Sequence, residues 1–332
     1  MTFDQILTDL KNKIYYPVYL LFGEEPYYID EISDYIEANV LSETEKEFNQ
    51  TIIYGKETDV PTIISYAKRF PMMANYQVVI VKEAQEVREI EKLLPYVESP
   101  LKSTLLVICH KYKKIDKRRA IVKRNEKNGV VFESLKLYEN KIPDWIRNYL
   151  KTRDYSITPK ASVLLSEYLG TDLTRIVNEI GKLIINIPAD TEINDDHIEE
   201  NIGISKEFNI FELQKALGTK NMYKANQIAF YFASNEKDNP LVRTISVLGN
   251  FFVKVMVYHS LKDKSRNSVA SALSIHPFFV SDYQQAAKHY SPQRLSKIIS
   301  FLREYDLKSK GVGNVTTTHG ELLKELIFKI LH

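Results

Sequence analysis

The sequence holds a single cysteine, Cys109, in 332 residues, which excludes an internal disulfide framework and any cysteine-cluster metal site. One cysteine also fits a reducing cytoplasm. With only 11 glycines and 12 prolines, the chain favours helix over a turn-rich β architecture. The net charge is only +2, so no chain-wide field announces a nucleic-acid partner. The first residues, MTFDQILTDLKNK, mix acids and bases and lack the apolar region of a signal peptide. No stretch is expected to approach the roughly 18 to 20 apolar residues of a membrane span, so no membrane partner is expected. The histidines outside the Cys109–His110 pair (His197, His259, His276, His289, His319 and His332) show no ligand spacing, and no metal is expected. What remains is ordinary for a soluble globular protein, with 44% hydrophobic and 27% charged residues. The length allows two or three domains with real cores.

The chain is organised around Tyr16 to Asp30, YPVYLLFGEEPYYID. Val18 to Phe22 is a short apolar run between Pro17 and Gly23, consistent with a strand buried on both faces of a parallel sheet. Strand, glycine turn and helix start are the layout of a phosphate-binding loop. Its chemistry is missing. Such a loop needs GxxxxGK[ST], with a lysine on the phosphate charge and a hydroxyl on magnesium. Here Gly23 is followed by Glu24, Glu25, Pro26, Tyr27 and Tyr28. The two carboxylates would repel phosphate, whereas they suit the positive end of a helix. Pro26 suits its first turn. A capped helix that binds no nucleotide is therefore expected, and no cofactor.

Strands and helices then alternate. Helices are predicted over Phe3–Lys11, Tyr27–Leu41, Thr58–Arg69, Val87–Val97 and Asp116–Lys127. Strands are predicted over Glu47–Tyr54, Gln77–Val81, Ser103–Cys109 and Gly129–Phe132. That alternation implies a parallel sheet covered by helices on both faces. After Pro143 no further strand is expected. Helices over Pro143–Lys151, from Pro159 to Gly170, over 171–185 and over Asn194–Asn201 form a small helical unit. The remainder reads as all helix, with elements near Ile210–Leu217, Met222–Ser234, Asn239–Leu261, Pro277–Tyr290, Pro292–Lys308 and Thr316–Leu331. The domains expected are 1–141 (α/β), 142–206 (all-α) and 207–332 (all-α).

Three stretches carry candidate chemistry. Cys109–His110 could suggest a nucleophile and base, but neighbours on a strand point to opposite faces. A buried cysteine beside an exposed histidine is expected instead. The same strand lacks the terminal acids that hold magnesium in nucleotide-hydrolysing folds, since no acid follows until Asp116. The basic run around Lys113, Lys114, Lys117, Arg118 and Arg119 reads either as a solvated helix face or as a salt-dependent, sequence-blind contact to phosphates. Phe70-Pro71-Met72-Met73 sits at a predicted helix end just before a strand. Four apolar residues in a turn either fold back onto the core or form an adaptable binding surface, for which methionine is suited.

Four strings in order, PVYLLFGEEPYYIDE (17–31), RFPMMANYQVVIVKEA (69–84), GTDLTRIVNEIGKL (170–183) and EYDLKSKG (304–311), span nearly the whole chain. Together they resemble the delta subunit of the bacterial DNA polymerase III clamp loader. The resemblance implies an AAA+-like N-terminal domain without a working nucleotide site, then a helical lid and a helical collar. It implies a cytoplasmic, non-catalytic subunit that opens the ring-shaped sliding clamp (the beta subunit) with a hydrophobic wedge. The implied further partners are the ATPase (tau/gamma) and delta-prime subunits, and primed DNA within the assembly. Met72 and Met73 match the wedge positions, with Phe70 and Pro71 beside them. Family members often carry Leu-Phe or Phe-Phe there, and Met-Met keeps the apolar volume without an aromatic anchor. Two other readings stay open: a P-loop-like NTPase with an unusual site, and a stand-alone DNA-binding helical protein.

Overall fold

A computed structural model describes residues 1–203, 205 and 207–332. The expected boundary at 206/207 involves Lys206, which lies outside the described residues. The chain divides into two compact units, one of residues 1–138 with 171–174, the other of residues 139–170 with 175–332.

In the first unit the order is α1 (Phe3–Lys11), β1 (Val18–Gly23), α2 (Pro26–Asn39), α3 (Glu43–Asn49), β2 (Gln50–Tyr54), α4 (Val60–Ala67), β3 (Gln77–Lys82), α5 (Leu94–Glu98), β4 (Thr104–Lys111), α6 (Ala120–Asn128) and β5 (Val130–Ser134). All five strands are parallel, in the order β2-β3-β4-β1-β5. The alternation of the side chains builds two cores. Val18, Leu20 and Phe22 of β1, Val79 and Val81 of β3, and Leu106 and Ile108 of β4 join α4, α5 and α6. Tyr19 and Leu21, Val78 and Ile80, and Leu105, Val107 and Cys109 join α1 and α2 on the other face. Burial on both faces is why these strands read as unbroken apolar runs.

Local chemistry sets the helix starts. Thr2 and Gln5 close a capping box on α1. Glu25 caps α2 by accepting the Tyr27 N–H, with Pro26 in the first turn.

Three expectations in this unit need correction. Residues 47–49 belong to α3 rather than to β2, because Ser42 and Glu45 close a capping box that starts a helix at Glu43. The expected helix over 87–97 is one short 3₁₀ turn, Ile90–Leu93, followed by α5. Glu89 takes a left-handed conformation that interrupts it. The helix expected from Asp116 begins only at Ala120, so Lys113 to Arg119 lie in a loop. Asp116 accepts the backbone N–H of Arg118, a turn that competes with helix there.

The second unit contains α7 (Ile142–Lys151), β6 (Ser156–Ile157), α8 (Pro159–Leu169), most of α9 (Leu173–Asn186), β7 (Glu192–Ile193), α10 (Asp195–Ile202) and then α11 (Ile210–Gly218), α12 (Met222–Ser234), α13 (Leu241–Ser260), α14 (Arg266–Leu273), α15 (Val280–His289), α16 (Pro292–Ser309) and α17 (His319–Leu331). Two features depart from expectation. β6 and β7 form a parallel pair through Ile157 and Ile193, where no strand was expected. Two residues per strand are too short to leave a period. The helix α14 was also missed, because its sequence RNSVASAL has only Val269, Ala270 and Leu273 to bury.

α13 corrects another expectation, being long and apolar enough to cross a membrane by length and composition. Its buried side chains, among them Ile245, Leu248, Phe251, Phe252 and Val255, lie in the core of this unit. A core helix produces that pattern.

Candidate functional site

In the glycine turn after β1, two backbone donors are taken by the chain itself. The Glu25 N–H donates to the Ser134 carbonyl at 3.3 Å. Pro26 has no N–H, and the Tyr27 N–H donates to the Glu25 carboxylate at 3.1 Å. Glu25 is buried, 3% exposed, and burial raises its pKa. Glu24 pairs with Lys114 at 3.0 Å. Gly23 has φ +146°, and a Cβ built there would lie 1.9 Å from the Ser134 carbonyl oxygen. Glycine is required here both for its backbone angle and for the close approach of β5.

At the neighbouring end of β4, Lys111 sits in register with Gly23. It is buried, and its ammonium lies 2.6 Å from Asp30 and 3.2 Å from Glu83. Burial pulls the Lys111 pKa down, but the hydrogen bonds and charges of these two carboxylates outweigh it and hold the ammonium protonated. Nothing in the local sequence pairs Lys111 with Asp30 and Glu83; the sheet register brings them together. Cys109 is fully buried, and burial pushes its thiol up to about 12, which keeps it an inert thiol. His110 is half-buried rather than exposed, and burial lowers its pKa.

The apolar turn expected between α4 and β3 does not fold back onto the core. Phe70 is 78% exposed, Met72 55% and Met73 98%, with Pro71 half-buried. The turn is nonetheless held at both ends. The Ala67 carbonyl accepts hydrogen bonds from the Tyr96 hydroxyl at 3.1 Å and from Thr104 Oγ1 at 3.0 Å. The Arg69 guanidinium lies 4.3 Å over the Tyr66 ring. On the far side Ala74 and Tyr76 pack against the core, with Tyr76 edge-on to Tyr15.

At the centre of the turn, Asn49 grips Met72. Its Oδ1 accepts the Met72 N–H at 2.6 Å and its Nδ2 donates to the Met72 carbonyl at 2.9 Å. Met73 follows with φ +54°, an uncommon left-handed conformation for a side chain of its size. Phe48, next to Asn49, is a further exposed apolar ring at 64%. Sequence reasoning found neither Asn49 nor Phe48, since they lie on an element read as strand and more than twenty residues away. The arrangement is a set of exposed apolar side chains on a hydrogen-bonded turn.

The basic segment is less positive than its sequence. Lys114 pairs with Glu24, Lys117 with Glu133, Arg118 with Asp116 and Arg119 with Glu91. Among the described residues Lys113 pairs with no carboxylate. A cavity of about 780 Å³ opens in the helical unit, lined by Arg147, Lys160, Glu167, Lys215, Lys254 and Asp282 among others. No sequence pattern had pointed to it. Among the described residues no cluster of His, Cys, Asp and Glu is arranged to hold a metal.

The five-stranded parallel sheet, its glycine turn and the long helical run that follows define an α/β protein with a helical C-terminal region. Residues 19–135 match the family model for the DNA polymerase III delta subunit, and residues 207–326 match the model for its C-terminal domain. The chain belongs to the DNA polymerase III delta-subunit family. DNA polymerase III subunit delta of Bacillus subtilis (strain 168) is 28% identical over 322 residues, covering 93% of this chain and 92% of that protein. The solved structure of the Bacillus subtilis DNA clamp loader delta protein is similar over 99% of both chains, with TM-score 0.55 and 24% identity, a likeness of fold.

Proposed function

We propose that this chain is a non-catalytic clamp-loader subunit that binds a ring-shaped sliding clamp through Phe70, Pro71, Met72 and Met73 and opens it for loading on primed DNA. The observation that carries this reading is the exposure of Met73, at 98%, and of Phe70, at 78%, on a turn anchored at both ends. Exposed apolar side chains on a rigid base gain free energy only by leaving water. A ring closed by its own interfaces opens when something binds the open form better than the closed one. An apolar wedge that favours a distorted interface supplies that difference without nucleotide chemistry.

The partners proposed are the sliding clamp, the ATPase (tau/gamma) subunits and the delta-prime subunit, with ATP binding in the ATPase subunits exposing or hiding the wedge. Residues 142–206 would serve as the lid and 207–332 as the collar that holds the chain in the ring. The test is co-purification of the full chain with the cognate clamp and ATPase subunits, with and without ATP. Failure to retain the clamp under either condition overturns the reading.

Non-catalysis has its own check. A nucleotide held at about a hundred times its Kd would stabilise the fold by about 2.7 kcal/mol. Titrating ATP with magnesium is expected to leave the melting temperature unchanged. A saturable rise would instead revive the NTPase reading.

We also propose a weak contact of Lys113, Lys114, Lys117, Arg118 and Arg119 with the DNA backbone inside the assembled ring. Exposed ion pairs such as Lys114–Glu24 are worth about 0–1 kcal/mol, so these cations can exchange a carboxylate for a phosphate. Neutralising all five is expected to lower loading on primed DNA a few-fold and flatten its salt dependence. Unchanged loading at every salt concentration removes the contact.

A further inference from the structure

We infer that Asn49 is the positioning residue of the clamp-binding turn, an inference that rests on the function proposed above. Asn49 is the last residue of α3 and is fully buried. Its amide uses both donor hydrogens and one acceptor position: Nδ2 donates to the Glu45 carbonyl at 3.0 Å and to the Met72 carbonyl at 2.9 Å, and Oδ1 accepts the Met72 N–H at 2.6 Å. One side chain thus satisfies both backbone groups of Met72, as a neighbouring strand would, and fixes the plane of the peptide. The base of this grip is itself fixed, because the Ser42–Glu45 capping box sets the start of α3 and Asn49 bonds back to Glu45.

The need for a grip is physical. A surface turn of Phe-Pro-Met-Met lowers its free energy by collapsing onto nearby apolar surface. Met73 also sits in a left-handed conformation, which is strained for its side chain and persists only where the surroundings impose it. Two hydrogen bonds to Met72 hold the residue immediately before that strained position. The backbone is therefore ordered before the clamp arrives, and binding does not have to order it.

The test uses the full-length chain and the purified cognate sliding clamp. Affinity is measured for the wild type, Asn49→Ala, Met72→Ser/Met73→Ser and the triple variant. Asn49→Ala is expected to weaken binding about tenfold, the size of freezing one residue's backbone during binding rather than before it. In the Met72→Ser/Met73→Ser background the same change is expected to cost nothing further, because a positioning role acts only through the side chains positioned. Asn49→Ser loses the same hydrogen bonds while keeping a small, uncharged polar side chain, so its affinity is expected to fall as far as that of Asn49→Ala, and it serves where Asn49→Ala folds poorly.

Undiminished affinity in both Asn49 variants, with Met72→Ser/Met73→Ser weakened, overturns the inference and leaves the proposed function standing. An equal loss in both backgrounds assigns Asn49 to general stability and also overturns it. Undiminished affinity of Met72→Ser/Met73→Ser overturns the assignment of the clamp contact to this turn.

Discussion

Serine at positions 72 and 73 is expected to weaken clamp binding by at least a hundredfold while leaving the chain folded. Fully burying a methionine side chain is worth about 1.5–3 kcal/mol, and two of them correspond to at least about a hundredfold in affinity. Both side chains face solvent in the free chain, Met73 almost entirely. Exposed substitutions usually change stability by no more than about 0.5 kcal/mol, so the melting temperature is expected to stay within about 2 °C. The hydrogen bonds from Asn49 run to the Met72 backbone and survive the substitution. Affinity read by titration against the purified clamp, beside a thermal melt of the same samples, separates the two effects. A variant that binds as tightly as wild type places the clamp contact elsewhere on the chain.

The second large effect is expected at Gly23. Alanine there would bring a Cβ to 1.9 Å from the Ser134 carbonyl oxygen and 2.7 Å from its carbon. Backbone atoms cannot swing aside as the end of a side chain can. The residue also sits at φ +146°, a region open essentially to glycine alone. Backbone strain of about 1–3 kcal/mol and overpacking of about 1–3 kcal/mol together predict a loss of about 2–6 kcal/mol. That corresponds to a fall of roughly 10 °C in the melting of the α/β unit. Gly181, where a Cβ would meet nothing within 4 Å, is the matched control. Its replacement by alanine in mid-helix is expected to be neutral or slightly stabilising. Equal melting of Gly23→Ala and wild type would mean that β5 yields to the side chain at little cost.

The parts of the fold that could be read in advance are those where local pattern and tertiary demand agree. β1, β3 and β4 are buried on both faces, so their sequences are unbroken apolar runs whatever surrounds them. Helix α2 announces itself through Glu25 and Pro26, and α8 through Thr158 and Pro159. The misses arise where a distant or minor contact decides the outcome. EFNQTIIY has strand composition throughout, yet its first residues finish a helix started by Ser42 and Glu45. The run 87–97 has helical spacing, but left-handed Glu89 breaks it.

The candidate site divides in the same way. Phe70 to Met73 stood out because four apolar residues occupy a turn. Their exposure could not be read, since it depends on a hydrogen-bond partner twenty-three residues earlier. The charge of the basic segment was misjudged for the same reason, because its carboxylates come from Glu24, Glu91 and Glu133.

The contact between Gly23 and Ser134 also bears on whether this loop could be rewritten. Introducing a lysine and a hydroxyl residue after Gly23 would change side chains only. The Ser134 carbonyl would still take the Glu25 N–H, and the end of β5 would still press against the turn. A nucleotide site in this loop would therefore require moving a strand as well as changing side chains.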